Sequence, residues 1–210
     1  MVKMQIPLYN RLRKQAHRDI AAAQDLVLTS VYSRFPKAVL HGGTAIWRCY
    51  GGNRFSEDLD FYIPSKSGIP EFFQDLKRQG LLIHKQRVKE NSMYSLVEFN
   101  RAMVRVEALF LRKESILKEY ELADGNITTV YTLTAEGLLL EKIDACLKRR
   151  KVRDLYDVFF LLRFARTRPR HLDKVASAEI GDEDILPALI LTGPIPKVHE
   201  MRRYIAEWGK

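Results

Sequence analysis

The reading of this chain turns on His41-Gly-Gly-Thr-Ala-Ile-Trp-Arg-Cys-Tyr-Gly-Gly-Asn-Arg-Phe-Ser-Glu-Asp-Leu-Asp-Phe61. A glycine pair, Gly42 and Gly43, follows the short apolar strand Ala38-Val-Leu40 and precedes a short helix over Thr44 to Tyr50. Glycine lets the backbone approach a phosphate closely, and the N-terminus of a helix offers free N–H donors. Thr44 adds a hydroxyl. At the other end, Asp58 and Asp60 lead into the apolar run Leu59 to Ile63, which reads as a strand closed by Pro64. Residues two apart on a strand project from one face, with Cα atoms ~6.6–7 Å apart. Such a pair suits one or two Mg²⁺ ions, which take carboxylates together with substrate phosphate oxygens. Two unpaired acids on an apolar strand are costly unless a cation or exposure relieves them. Turn and acids together point to nucleotide transfer. The alternative is that Asp58 belongs to a turn or cap and only Asp60 faces out of the strand.

Polymerase-like sites use a third carboxylate on a neighbouring strand, as a metal ligand and as a base near the attacking hydroxyl. Glu107 is the candidate. In Val104-Arg-Val-Glu-Ala-Leu-Phe110, alternation puts Val104, Val106 and Ala108 on one face and Arg105, Glu107 and Leu109 on the other. The bland reading is an exposed strand glutamate paired with Arg105. Arg48 and Arg54 lie between glycines and aspartates, where one neutralises triphosphate charge or pairs with Glu57. Trp47 and Tyr50 read as packing residues, and His41 as a satisfied loop histidine.

Around this centre the pattern is α+β. Leu12, Ile20, Leu26, Val27 and Val31 recur at helical spacing from about Leu8 to Phe35, giving one long amphipathic helix or two short ones. Pro36 ends it. Pro70 to Gln79 reads as a helix stopped at Gly80. Three β-rich runs follow, Leu81 to Val88, Ser92 to Phe99 and Met103 to Leu111, with turns at Asn91 and Asn100-Arg101. Asp124-Gly125-Asn126 is a turn, and Ile127 to Leu133 is a last short strand. From Thr134 the pattern is helical: one helix to about Arg150, a second over Val152 to Arg166, and shorter ones over Leu172 to Ala178, Glu183 to Leu191 and Pro196 to Trp208. The expected division is a mixed-sheet unit with its N-terminal helix over 1–132 and a helical bundle over 133–210.

The chain has 210 residues, 46% of them hydrophobic, enough for one domain or two small ones. Its formal net charge of +9 makes nucleic acid a natural partner. Lys148-Arg-Arg-Lys-Val-Arg153 concentrates five cations in six positions, a solvated helix end or a dock for an RNA backbone. Lys66, Lys77, Arg78, Lys85, Arg87 and Lys89 are candidates to widen that surface. The two cysteines, Cys49 and Cys146, form no Cys-x-x-Cys pair and suit a reducing cytoplasm. No signal-peptide core and no bilayer-spanning window is expected. The five histidines show no metal-ligand spacing, and no G-x-x-x-x-G-K-[ST] loop is present.

Gly42-Gly43-Thr44 with Ser56-Glu-Asp-Leu-Asp-Phe61 resembles the nucleotidyltransferase superfamily with the DNA polymerase β-type fold. Leu140-Glu-Lys-Ile-Asp-Ala145 and Arg150-Lys-Val-Arg-Asp-Leu-Tyr-Asp157 narrow the likeness to the AbiEii/AbiGii toxin-type group, over about residues 38 to 165. The resemblance implies that Asp58 and Asp60 bind Mg²⁺ and that Gly42, Gly43 and Thr44 contact an NTP triphosphate. It implies that Lys142 lies against nucleotide phosphates and that Asp154 stands near the active centre, with Asp157 on the same helix face at i+3. Structural alternatives are a solvated Lys142 paired with Glu141 or Asp144, and Asp154 as an acid at a helix N-terminus. The expected activity is Mg²⁺-dependent transfer of an NMP to an acceptor hydroxyl, with RNA, at the 3′ end of tRNA, as acceptor and an antitoxin as partner. A small-molecule or protein acceptor, a non-catalytic nucleotide- or RNA-binding module, and a partner-binding subunit are the alternatives.

Overall fold

The computed structural model describes residues 6–210. The reading of the N-terminus as free of a signal peptide falls partly on residues 1–5, outside the described residues. The N-terminal helical stretch resolves into a single turn, α1 (Leu8–Arg11), and a 20-residue helix, α2 (Gln15–Arg34). Leu12, in the link, is buried in a small apolar cluster with Trp47 and Phe55. Then come β1 (Val39–His41), α3 (Gly42–Tyr50), β2 (Asp58–Ile63) and α4 (Ile69–Arg78). A meander of β3 (Leu82–Val88), β4 (Ser92–Phe99) and β5 (Ala102–Phe110) follows, then a hairpin of β6 (Ile116–Glu121) and β7 (Ile127–Thr132). No strand is expected from the sequence pattern over β6. Its Ile116-Leu-Lys-Glu-Tyr-Glu121 buries only Tyr120, and pairing with β7 across the Gly125 turn makes it a strand.

The seven strands form one mixed sheet in the order β3-β4-β5-β2-β1-β7-β6. β2 runs parallel to β5 and antiparallel to β1, so the Asp-x-Asp strand is central. One face is apolar: Leu59, Phe61 and Ile63 of β2, Val104, Val106 and Ala108 of β5, and Met93 and Val97 of β4 are all buried. α2 lies against β4 and β5 on this side, and α4 packs beside α2. The opposite face carries Asp58, Asp60, Arg105 and Glu107 and stays open over β5 and β4.

After β7 the chain is helical. Thr134 caps α5 (Ala135–Arg149) by accepting the Gly137 N–H at 3.1 Å. α6 (Val152–Leu161), α7 (Leu172–Ser177), α8 (Leu186–Leu189) and α9 (Val198–Glu207) follow, with α5 packed on α6 and α9 on α6 and α7. An apolar cluster runs from Ala23 in α2 to Ile205 in α9. The tail also returns to the sheet side, where Ile190 forms a bridge with Arg54 in the loop before β2. The architecture is mixed α+β, a seven-stranded mixed sheet with flanking helices.

Candidate active site

Gly42 has φ +71°, and a Cβ there would lie 2.2 Å from Asp60 Oδ2. A Cβ on Gly43 would lie 2.6 Å from both Arg54 Nη2 and Ser56 Oγ. Both positions therefore exclude any larger residue, because side chains of the site occupy that volume. Asp60 stands in register with Glu107 across the β2–β5 ladder, and Asp58 with Arg105. Registered partners share a face, so the three carboxylates project together. They line a hollow of about 200 Å³ with Gly43, Ser56, Arg54 and Lys142. The alternative in which Asp58 turns away is overturned. The pairing of Glu107 with Arg105 is present but loose at 3.9 Å, and Arg105 also lies 3.5 Å from Asp58.

Burial pushes the Asp60 carboxyl up, and Asp58 adds to this against the pull of His41 and Lys142. Burial also raises Glu107, reinforced by Asp60 and opposed by Arg105. Three acids on one face repel one another's charge, and a bound cation would relieve that repulsion. Among the described residues no three His, Cys, Asp or Glu side chains are gathered closely enough to enclose an ion by themselves. Mg²⁺ does not need that, since it binds one or two carboxylates and completes its shell with water and substrate phosphates. The all-oxygen set of Asp58, Asp60 and Glu107 fits that requirement.

Behind the hollow lies a buried ionic network. Arg54 grips Asp157 with two parallel bonds of 2.8 Å. Lys142 Nζ is 2.8 Å from Asp157 and 3.6 Å from Asp154. Arg149 donates to both Asp154 oxygens, at 2.7 and 3.1 Å. Burial alone would raise the Asp157 carboxyl, but Arg54 and Lys142 outweigh it and hold it below the usual carboxylate range. Arg54, Lys142 and Arg149 open into the hollow; Asp154 and Asp157 are fully buried and do not line it. Asp154, expected at the active centre, lies behind the hollow, where it pairs with Lys142 and Arg149. Lys142 does not pair with Glu141 or Asp144.

Two expected contacts are corrected. Arg48 does not reach the hollow: its guanidinium pairs with Asp25 of α2 and stacks 4.8 Å from the Trp47 ring and 4.6 Å from that of Tyr120. Five residues past Gly43 is about 140° round a helix, which turns position 48 to the far side. Thr44 is fully buried and its hydroxyl donates to the Asp58 carbonyl, so it ties α3 to β2 and does not face a ligand. The arginine that does serve the hollow is Arg54, and its partner is Asp157 rather than Glu57. His41 is satisfied as expected, 3.0 Å from Glu141 and stacked on Tyr62. Trp47 packs on Phe55.

The basic run Lys148–Arg153 spans the turn from α5 into α6, with Arg150 at φ +53°. Arg149 and Arg153 line the hollow, while Lys151 pairs with Asp182. Leu189 also lines the hollow, brought there by the Ile190 bridge and by Asn53, which exchanges hydrogen bonds with Thr192. Nothing in local sequence marks Leu189, whereas Arg105 was readable from its alternation with Glu107. Both cysteines are free, and no helix among the described residues is long and apolar enough to cross a membrane.

Three carboxylates on one face beside a glycine turn, on this mixed sheet, fit the nucleotidyltransferase class. Its family is more specific. Residues 26–197 match the model described as nucleotidyl transferase AbiEii toxin, Type IV TA system, and the chain belongs to that family. No curated protein matches it. Among solved structures, it is similar to JHP933 from Helicobacter pylori, with a TM-score of 0.66 and 20% identity over 94% of this chain and 91% of that one. MenT4, a nucleotidyltransferase toxin from Mycobacterium tuberculosis H37Rv, matches with a TM-score of 0.64 and 21% identity over 93% of this chain and 85% of that one. At these identities the two likenesses speak for the fold.

Proposed function

We propose that this nucleotidyltransferase moves the nucleoside monophosphate of an NTP onto a hydroxyl of RNA, at the 3′ end of tRNA, as the cytoplasmic toxin of a toxin–antitoxin pair. The observation that carries the reading is the shared face of Asp58, Asp60 and Glu107 opposite the glycine floor. Asp58 and Asp60 are the residues to hold Mg²⁺, which when bound neutralises charge on the transferred phosphoryl and on the leaving pyrophosphate. Gly43 gives the triphosphate room to approach the α3 N-terminus. Lys142, Arg54 and Arg149 present positive charge to it, kept in place by Asp157 and Asp154. Glu107, whose carboxyl is raised, accepts the proton of the attacking hydroxyl. The acceptor oxygen bonds to the α-phosphorus, and the bond from that phosphorus to the β-phosphate bridge breaks. The net charge of +9 favours RNA over a neutral acceptor. On this proposal residues 1–132 carry the acids and 133–210 the helical unit that supplies Lys142 and Arg149.

The test is NTP-by-NTP label transfer to total RNA, with pyrophosphate measured in parallel. Wild type labels RNA, and Asp58→Ala with Asp60→Ala loses ~10³-fold or more of the rate and relieves growth arrest on expression. Pyrophosphate release without labelled RNA would move the acceptor to a small molecule or protein. NTP binding without pyrophosphate release would reduce the chain to a binding module.

A further inference from the structure

The open face of the sheet continues past the carboxylates. In register, Asp60 faces Glu107, Glu107 faces Tyr94 and Tyr94 faces Arg87. One step along, Asp58 faces Arg105, Arg105 faces Leu96 and Leu96 faces Lys85. Both rows therefore run on one side of the sheet, from the hollow across β5 and β4 to the edge strand β3. Three strand spacings put that edge about 14 Å from Asp60. There, a concavity of about 640 Å³ is lined by Lys85, Arg87, Lys89, His84 and Tyr94, with no carboxylate in its wall. Lys85, Arg87 and Lys89 are exposed, and among the described residues the ion pairs of this hairpin involve only His84 and Glu98.

We propose that these rows are the track on which the acceptor lies, a single-stranded RNA end running from Glu107 over Tyr94 to the Lys85–Arg87–Lys89 edge. The inference rests on the RNA-acceptor reading. Unpaired cations on an acid-free wall complement a phosphate backbone, and an aromatic ring between them and the acids is a platform for a base. The span accommodates about four stacked nucleotides at ~3.4 Å each. The same cations disfavour the other occupant of a bare strand edge, a second copy paired edge to edge, because like charges would oppose one another.

Binding of a short single-stranded RNA oligonucleotide is measured against salt for wild type, for Lys85→Gln/Arg87→Gln/Lys89→Gln, for Tyr94→Ala and for Tyr94→Phe, with NTP binding and melting temperature as controls. The triple variant is expected to lower the slope of log affinity against log salt by about 2, at ~0.7 per phosphate contact. Tyr94→Ala is expected to weaken binding about fivefold or more, while Tyr94→Phe keeps it, and NTP binding stays unchanged in all. Unchanged affinity and salt slope in the triple variant, in an enzyme that still labels RNA, overturns the track and leaves the RNA acceptor standing. A wild type that neither binds nor labels RNA overturns both.

Discussion

Asp157→Asn probes the network that holds the phosphate-facing cations. The side chain keeps its shape and one acceptor oxygen but loses its charge. Arg54 then loses a bidentate partner at 2.8 Å and Lys142 its closest one, also at 2.8 Å. Both cations are largely buried, with relative exposures of 6% and 7%, so water replaces the carboxylate only in part, from the side of the hollow. Only Asp154, 3.6 Å from Lys142 and already engaged by Arg149, remains to compensate. Breaking one side of a buried pair costs about 3–5 kcal/mol, a large share of the ~5–15 kcal/mol that holds a domain folded. For a chain of this size the melting temperature should fall by about 6–20 °C. The pH dependence follows from the depressed Asp157 carboxyl. Its contribution is complete above the unfolded-state value near pH ~3.9 and is lost as pH falls through the lower folded-state value. The gap between wild type and variant should therefore be widest at neutral pH and close in acid. Urea unfolding at pH 7 and in steps below pH 4 reads both effects. A loss under ~1 kcal/mol, the scale of a surface pair, or a gap that widens in acid, would refute the reasoning.

Three further outcomes follow from the site and its surroundings. Arg48→Met should cost about 1–3 kcal/mol, since Asp25 keeps its bonds from the Tyr120 hydroxyl and the Ala123 N–H, while leaving the KM for NTP unchanged; a raised KM in a variant of normal stability would return Arg48 to the substrate. Because burial raises Glu107, the acid limb of kcat/KM should lie above the ordinary carboxylate range of ~3.9–4.3, with activity falling as pH drops through it. Glu107→Gln should remove the base and ~10²–10⁴-fold of the rate, and a wild-type profile flat down to pH 4 would exclude a raised carboxylate base.

Local rules reached far into this protein. The periodicity of two in Asp58–Ile63 and Val104–Phe110 placed the acids and the apolar face correctly, because a strand's pleat allows no other arrangement. The glycine pair, the Pro36 stop, the Thr134 cap and the Gly125 turn were readable because each is a steric or hydrogen-bonding demand met within a few residues. What local pattern could not decide was partnership. Thr44 and Arg48 stand in the same glycine-led helix as Gly43, yet helix rotation and the packing of α2 spend their polar groups on Asp58 and Asp25. Arg54 and Asp157 are 103 positions apart and meet only because α6 packs behind the loop before β2. β6 exists as a strand because β7 offers it a partner, and Leu189 reaches the hollow because Ile190 bridges back to Arg54. The sequence by itself determined which residues are able to do the chemistry, since that depends on side-chain type and near-neighbour geometry. The tertiary structure alone decided which of them face the hollow and which hold the others in place, because burial and charge pairing are set by segments distant in the chain.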